Sequence, residues 1–92
     1  MPISTVEYDG DGNARDDLAR LWSDAEQGDR QRITDAAFEV EDYLKANPYK
    51  GTVITNGVLW PVRYVDWDIL RIFYQVFESE DKIIIIGFKL SP

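Results

Sequence analysis

The sequence predicts an α+β fold in which an N-terminal helical hairpin packs on an antiparallel β-sheet. Three observations predict it. Between residues 13 and 47, apolar residues recur twice at helical spacing. Residues 69–77 and 82–89 are two apolar, β-rich runs joined by the acidic turn Glu78-Ser79-Glu80-Asp81, which reads as a hairpin of long strands. A further apolar run at 58–65 precedes them and completes a three-stranded meander.

Residues 3–8 alternate loosely and predict a short first strand. Asp9-Gly-Asp-Gly-Asn13 is a turn cluster. Asn13 is placed to cap the first helix, with Asp16 in its favourable first turn. Leu18, Leu21, Trp22 and Ala25 form that helix's apolar stripe, and Trp22 is expected in the core between helices and sheet. Gln27-Gly28-Asp29 breaks the pattern. A second helix follows, with Ile33, Ala36, Ala37, Val40 and Leu44 on one stripe. It should stop at Asn47-Pro48, because the residue before proline avoids the helical region. Residues 51–56 are turn-rich. In the 58–65 strand, Pro61 marks an edge or a bulge. Asp66-Trp67-Asp68 reads as a connection. The isoleucines at 83–86 are apolar on both faces and predict a central, covered strand.

Period-2 geometry divides the 69–77 strand into two faces. Leu70, Ile72, Tyr74 and Val76 share one, which should pack on the helices, with the Tyr74 hydroxyl satisfied internally. Ile69, Arg71, Phe73, Gln75 and Phe77 share the other, which should be open.

Residues 1–92 make one domain. The absence of Cys rules out a disulfide, a zinc–thiolate site and a Cys nucleophile, and the absence of His removes the usual triads. No cofactor is expected. No apolar run approaches the roughly 20 residues of a membrane helix, and the N-terminus lacks the regions of a signal peptide. A cytoplasmic protein with no membrane partner is the expectation. The net charge is −7 and uneven: residues 1–47 hold twelve acids and five bases, whereas residues 48–92 hold five of each. General attraction to a polyanion is disfavoured, which confines any anion site to the C-terminal half.

Arg71 is the best functional candidate, because an isolated cation in an apolar strand needs a reason. One reason is an anion site on the open face, with Arg63 and Lys89 from adjacent strands completing a three-cation, phosphate-sized cluster. The bland reading is an ion pair with Glu78 or with an Asp near 66–68, and such pairs are common. Trp60, Tyr64, Trp67, Phe73 and Phe77 crowd the same half, as core, interface or base-stacking groups.

Leu70-Arg71-Ile72-Phe73-Tyr74-Gln75-Val76 resembles the strand motif of the RelE/ParE toxin superfamily, found in bacterial type II toxin–antitoxin and plasmid-stabilisation systems. Ala46-Asn47-Pro48-Tyr49 after the second helix and Ile84-Ile85-Ile86-Gly87-Phe88-Lys89 at the end are also similar, in the same order. The resemblance implies a toxin-like component that acts on translation, by mRNA cleavage on the ribosome, or on gyrase, and that is neutralised by an antitoxin peptide or protein. It places Arg71 at the scissile phosphate, with Lys89 as the basic residue of the last strand and Arg63 near the lysines of the preceding strand. The chain departs from the RNA-cleaving branch in its acidity, its single Arg63 on that preceding strand and the lack of the acid–base Tyr or His near the C-terminus. These departures point to the alternative, a non-catalytic protein-binding module that retains the fold.

Overall fold

The computed structural model describes residues 2–55 and 59–92. Strand β1 (Thr5–Tyr8) leads into helices α1 (Asn13–Asp24) and α2 (Gln27–Ala46). The short β2 (Thr52–Val53), β3 (Arg63–Trp67), β4 (Leu70–Phe77) and β5 (Lys82–Leu90) follow, with one 3-10 turn at Glu78–Glu80 between the last two. The sheet order is β1-β5-β4-β3-β2. Both helices cover one face of it: α1 lies mainly on β5, and α2 on β1 and β4.

Two helices on a sheet is the architecture the sequence predicts. The sheet itself is mixed, because β1 pairs in parallel with β5. The remaining pairs are antiparallel. The parallel pair joins residues nearly the whole chain apart, and no local pattern encodes it.

The α2 stripe is buried as its spacing requires, with Ile33, Ala36, Ala37, Val40 and Leu44 all in the core. The helix ends at Ala46, one residue before Asn47-Pro48. On β4, burial alternates residue by residue, and Leu70, Ile72, Tyr74 and Val76 face the helices. Ile83, Ile85 and Phe88 of β5 join them. Ile84 and Ile86 are only half-buried, so β5 is central but covered on one side.

Several local expectations are corrected. The α1 N-terminus is capped by Asp9, not Asn13: its carboxylate accepts from the backbone N–H of Asn13 at 3.3 Å and of Ala14 at 2.9 Å. Gly12, at φ +81°, supplies the left-handed step that lets the chain fold back onto Asp9. The helix break falls at Ala25 and Glu26, so Gln27-Gly28-Asp29 forms the first turn of α2. There Arg30 donates to the carbonyls of Trp22 and Ser23, serving the orphan C-terminal carbonyls of α1. Its guanidinium also lies 4.5 Å from the Trp22 ring centroid. Trp22 is therefore held outward, 44% exposed, rather than in the core. Leu18 and Leu21 are half-buried against the core. The expected 58–65 strand begins only after Pro61, at Arg63, and runs on through Asp66 and Trp67. Val58 and Asn56 lie outside the described residues. Residues 52 and 53, in the turn-rich stretch, pair with β3.

Tyr74 ties β4 to the loop after α2. It is fully buried, its hydroxyl donates to the Pro48 carbonyl at 3.0 Å and it accepts from the Gly51 N–H at 3.0 Å. A Cβ at residue 51 would collide with that hydroxyl, so the glycine is required. Tyr74→Phe leaves a buried donor and acceptor unpaired. It should cost about 1–3 kcal/mol, read as a lower urea midpoint at unchanged slope. An unshifted midpoint would mean that water replaces the hydroxyl.

Candidate functional site

The sheet face turned away from the helices carries Tyr64 and Asp66 of β3, Arg71, Phe73, Gln75 and Phe77 of β4, and Ile84, Ile86 and Lys89 of β5. Directly opposed residues in an antiparallel pair share a face, so the register Asp66↔Arg71↔Lys89 sets these three in one row across the sheet.

Arg71 is not free. Its Nε donates to Asp66 Oδ1 at 2.7 Å and its Nη2 to Asp66 Oδ2 at 3.0 Å, a two-pronged pair. The guanidinium also stacks 4.1 Å from the Tyr64 ring centroid. The side chain is 18% exposed and its Asp66 partner 41%. The hydrogen bond from Arg71 holds the Asp66 carboxyl below the usual carboxylate range, and the same bond raises Arg71. The ion pair with an Asp near 66–68 is thus what the strand Arg makes.

Lys89 reaches this row through an irregularity. The β4–β5 pairing slips between Phe73 and Tyr74: Phe73 pairs with Gly87 but Tyr74 with Ile85, leaving Ile86 as an extra residue. Strict alternation from Ile83 and Ile85 would send Lys89 to the buried face. The bulge reverses the phase, buries Phe88 and brings Lys89 beside Arg71, 5.9 Å from the Phe73 ring centroid. The signal was Gly87 inside an isoleucine strand, since an isolated strand glycine often marks a bulge. Beyond Ile85 the free edge of β5 is served by α1, where the Asp17 carboxylate accepts from the Phe88 N–H at 3.1 Å.

Arg63 does not join them. It is opposite Tyr74, on the helix-covered face, and its Nη1 donates to the carbonyls of Tyr49 at 3.3 Å and Gly51 at 3.2 Å. The expected three-cation cluster is therefore two cations, one of them neutralised. The rest of the open face is aromatic and polar: Trp60 stacks on Phe77 at 5.2 Å, and Gln75 donates to the Trp60 carbonyl. Trp67, by contrast, turns to the helices, where its ring lies 5.1 Å from Tyr43 and its Nε1 donates to Glu39. Among the described residues no three His, Cys, Asp or Glu side chains are grouped to hold a metal ion, and no helix is long and apolar enough to cross a membrane.

No protein-family model matches the sequence, and no curated protein matches it. Solved structures do match in shape. The toxin–antitoxin complex RelBE2 from Mycobacterium tuberculosis contains a chain similar over 99% of this one and 94% of its own, at 14% identity and a TM-score of 0.70. The chain has the RelE fold. The isolated E. coli RelE toxin aligns over 96% of this chain and 84% of its own, at 13% identity and a TM-score of 0.54. The archaeal RelE–RelB complex from Pyrococcus horikoshii aligns over 98% and 96%, at 18% identity and a TM-score of 0.58. In this version of the RelE fold, the motif strand is β4. Its Tyr74 and Val76 are structural, and only Arg71, Phe73 and Gln75 reach the open face.

Proposed function

We propose that this chain is the toxin-like component of a toxin–antitoxin pair, neutralised by an antitoxin peptide or protein. The observation that carries the reading is the RelE fold over essentially the whole chain, the toxin–antitoxin complex RelBE2 and a RelE–RelB complex being among the similar structures. Arg71 is its candidate phosphate contact and Lys89 the neighbouring cation. The target is the translation machinery or gyrase. A second reading, a non-catalytic binding module, is favoured by one observation: Arg71 is already occupied by Asp66 and Tyr64.

Induced expression without a partner should arrest bacterial growth. Arg71→Ala should relieve the arrest, because loss of a transition-state contact commonly costs about 10²–10³-fold in rate. The pair it breaks lies on the open face, outside the helix-covered core, so the circular dichroism spectrum should not change. In arrested cells, loss of amino-acid incorporation identifies translation as the target, and loss of DNA synthesis identifies gyrase. Healthy growth under strong wild-type expression decides for the binding module.

A further inference from the structure

Most of the large apolar side chains that the C-terminal half exposes gather at one edge of the sheet. We infer that this edge, β2 with the chain on either side of it, joins two copies of the protein in a two-fold dimer. The inference does not depend on the chemistry of Arg71.

β2 is the last strand of the sheet and pairs on one side only, with β3. The Ile54 N–H bonds inward to the Val62 carbonyl. Inward and outward positions alternate along an antiparallel strand, so the N–H and C=O of Val53 turn away from the sheet. Around this edge Tyr49, Val53, Ile54, Leu59 and Trp60 are all exposed, Leu59 by 79%. Tyr49 and Val53 flank Arg63, on the face the helices share. Trp60 lies toward the open face, stacked on Phe77. Apolar side chains therefore stand on both sides of a free strand edge. Such edges are ordinarily guarded by charge, yet residues 51–62 carry no charged side chain.

Charge and symmetry select a second copy as the occupant. An isologous contact sets the same patch against itself, so every charged group in it meets its twin or that twin's neighbour. On the helices that would be costly, because residues 13–46 carry nine acids against five bases. At the β2 edge it costs nothing. The helices lie on β1, β4 and β5, so copies joined at β2 hold their acidic helices apart. Val53 would exchange both of its outward bonds with Val53 of the other copy, as a hydrogen-bonded antiparallel pair does. The two sheets then become one, with both open faces on the same side. A patch without cations does not attract nucleic acid, and the net charge of −7 repels anionic lipid. β2 is only two residues long, so the apolar side chains supply most of the contact and the dimer is a weak one.

The test is sedimentation velocity on the full chain from about 1 to 200 µM, the range for a weak, small contact. The sedimentation coefficient should rise with concentration from that of a monomer to that of a dimer, and fall again on dilution. Higher salt should leave the dimer as tight or tighter, because it screens the repulsion between two molecules of charge −7. Leu59→Asp should weaken it by about tenfold or more, since it brings like charges into an apolar contact. Val53→Pro removes an N–H directed away from the sheet and should weaken it as well. Phe38→Ser is the control and should change nothing: Phe38 is 76% exposed, but on α2. All three positions are exposed, so the circular dichroism spectra should match the wild type. A monomer throughout the range, a dimer that salt weakens, or indifference to both Leu59→Asp and Val53→Pro overturns the inference. A dimer lost in Phe38→Ser and kept in Leu59→Asp would place the contact on the helices and also overturn it.

Discussion

Ile72→Ala is expected to lower the stability of the domain by about 2–5 kcal/mol. Ile72 is fully buried at the middle of β4, the strand that touches both other long strands and α2. Truncation removes three carbons from the core and leaves a cavity that the surrounding sheet cannot close. A domain of this size has a total stability of only roughly 5–15 kcal/mol, so the loss is a large share of it. Each kcal/mol shifts the melting temperature of such a domain by about 4–8 °C, and a fall of at least about 10 °C should be seen by calorimetry. Phe38→Ala is the internal control. Its side chain is exposed, and its cost should stay within about 0.5 kcal/mol. An Ile72→Ala shift no larger than that of the control would contradict the assignment of the buried face.

The second large effect is a gain. Asp66→Asn should increase the affinity of the open face for a short single-stranded RNA at low salt by roughly tenfold. Asp66 opposes an incoming phosphate twice: it occupies the two Arg71 nitrogens that would bind one, and its own charge repels one. The amide keeps the shape and an acceptor oxygen but removes the charge. Arg71 then faces solvent beside Lys89 with no compensating anion. The double variant Asp66→Asn, Arg71→Ala should lose the gain, which ties it to Arg71 rather than to net charge. Equal binding by wild type and Asp66→Asn would show that the carboxylate is no barrier. The pair also predicts a pH limb. The folded carboxyl of Asp66 is held below its unfolded value, so its stabilising contribution is present above about pH 4 and is lost as pH falls through the folded value. Asp68, bonded to Arg32, and Asp81, bonded to Ser4, are lowered as well and act in the same direction. Asp66→Asn should flatten that acid limb in urea titrations.

The legible parts of the site were those set by one strand's alternation. Arg71 and Gln75 fall on the open face because they are out of phase with Leu70, Ile72, Tyr74 and Val76. An aspartate near residue 66 was a foreseeable partner because β3 and β4 are joined by a tight turn. Lys89 and Arg63 were not legible in the same way. Lys89 changes face because Ile86 is an extra residue in the ladder, and Arg63 stands opposite the buried Tyr74 because β3 starts after Pro61. Both depend on register between strands, which a period-2 pattern within one strand leaves undetermined.

Taken alone, the sequence determined two helices, the stop of the second, the meander, the buried stripes of α2 and β4, and the resemblance to the RelE/ParE superfamily. Those features are local: they follow from periodicity and the restriction before proline, which act over a few residues. Only the tertiary structure decided that β1 pairs in parallel with β5, that Trp22 is held outward by Arg30, that Arg71 is bound by Asp66, and that Lys89 but not Arg63 stands beside it. Each of these is a contact between elements. Which partner a side chain meets across a sheet or a helix pair is fixed by register and packing, and those are set by the burial of the whole core at once.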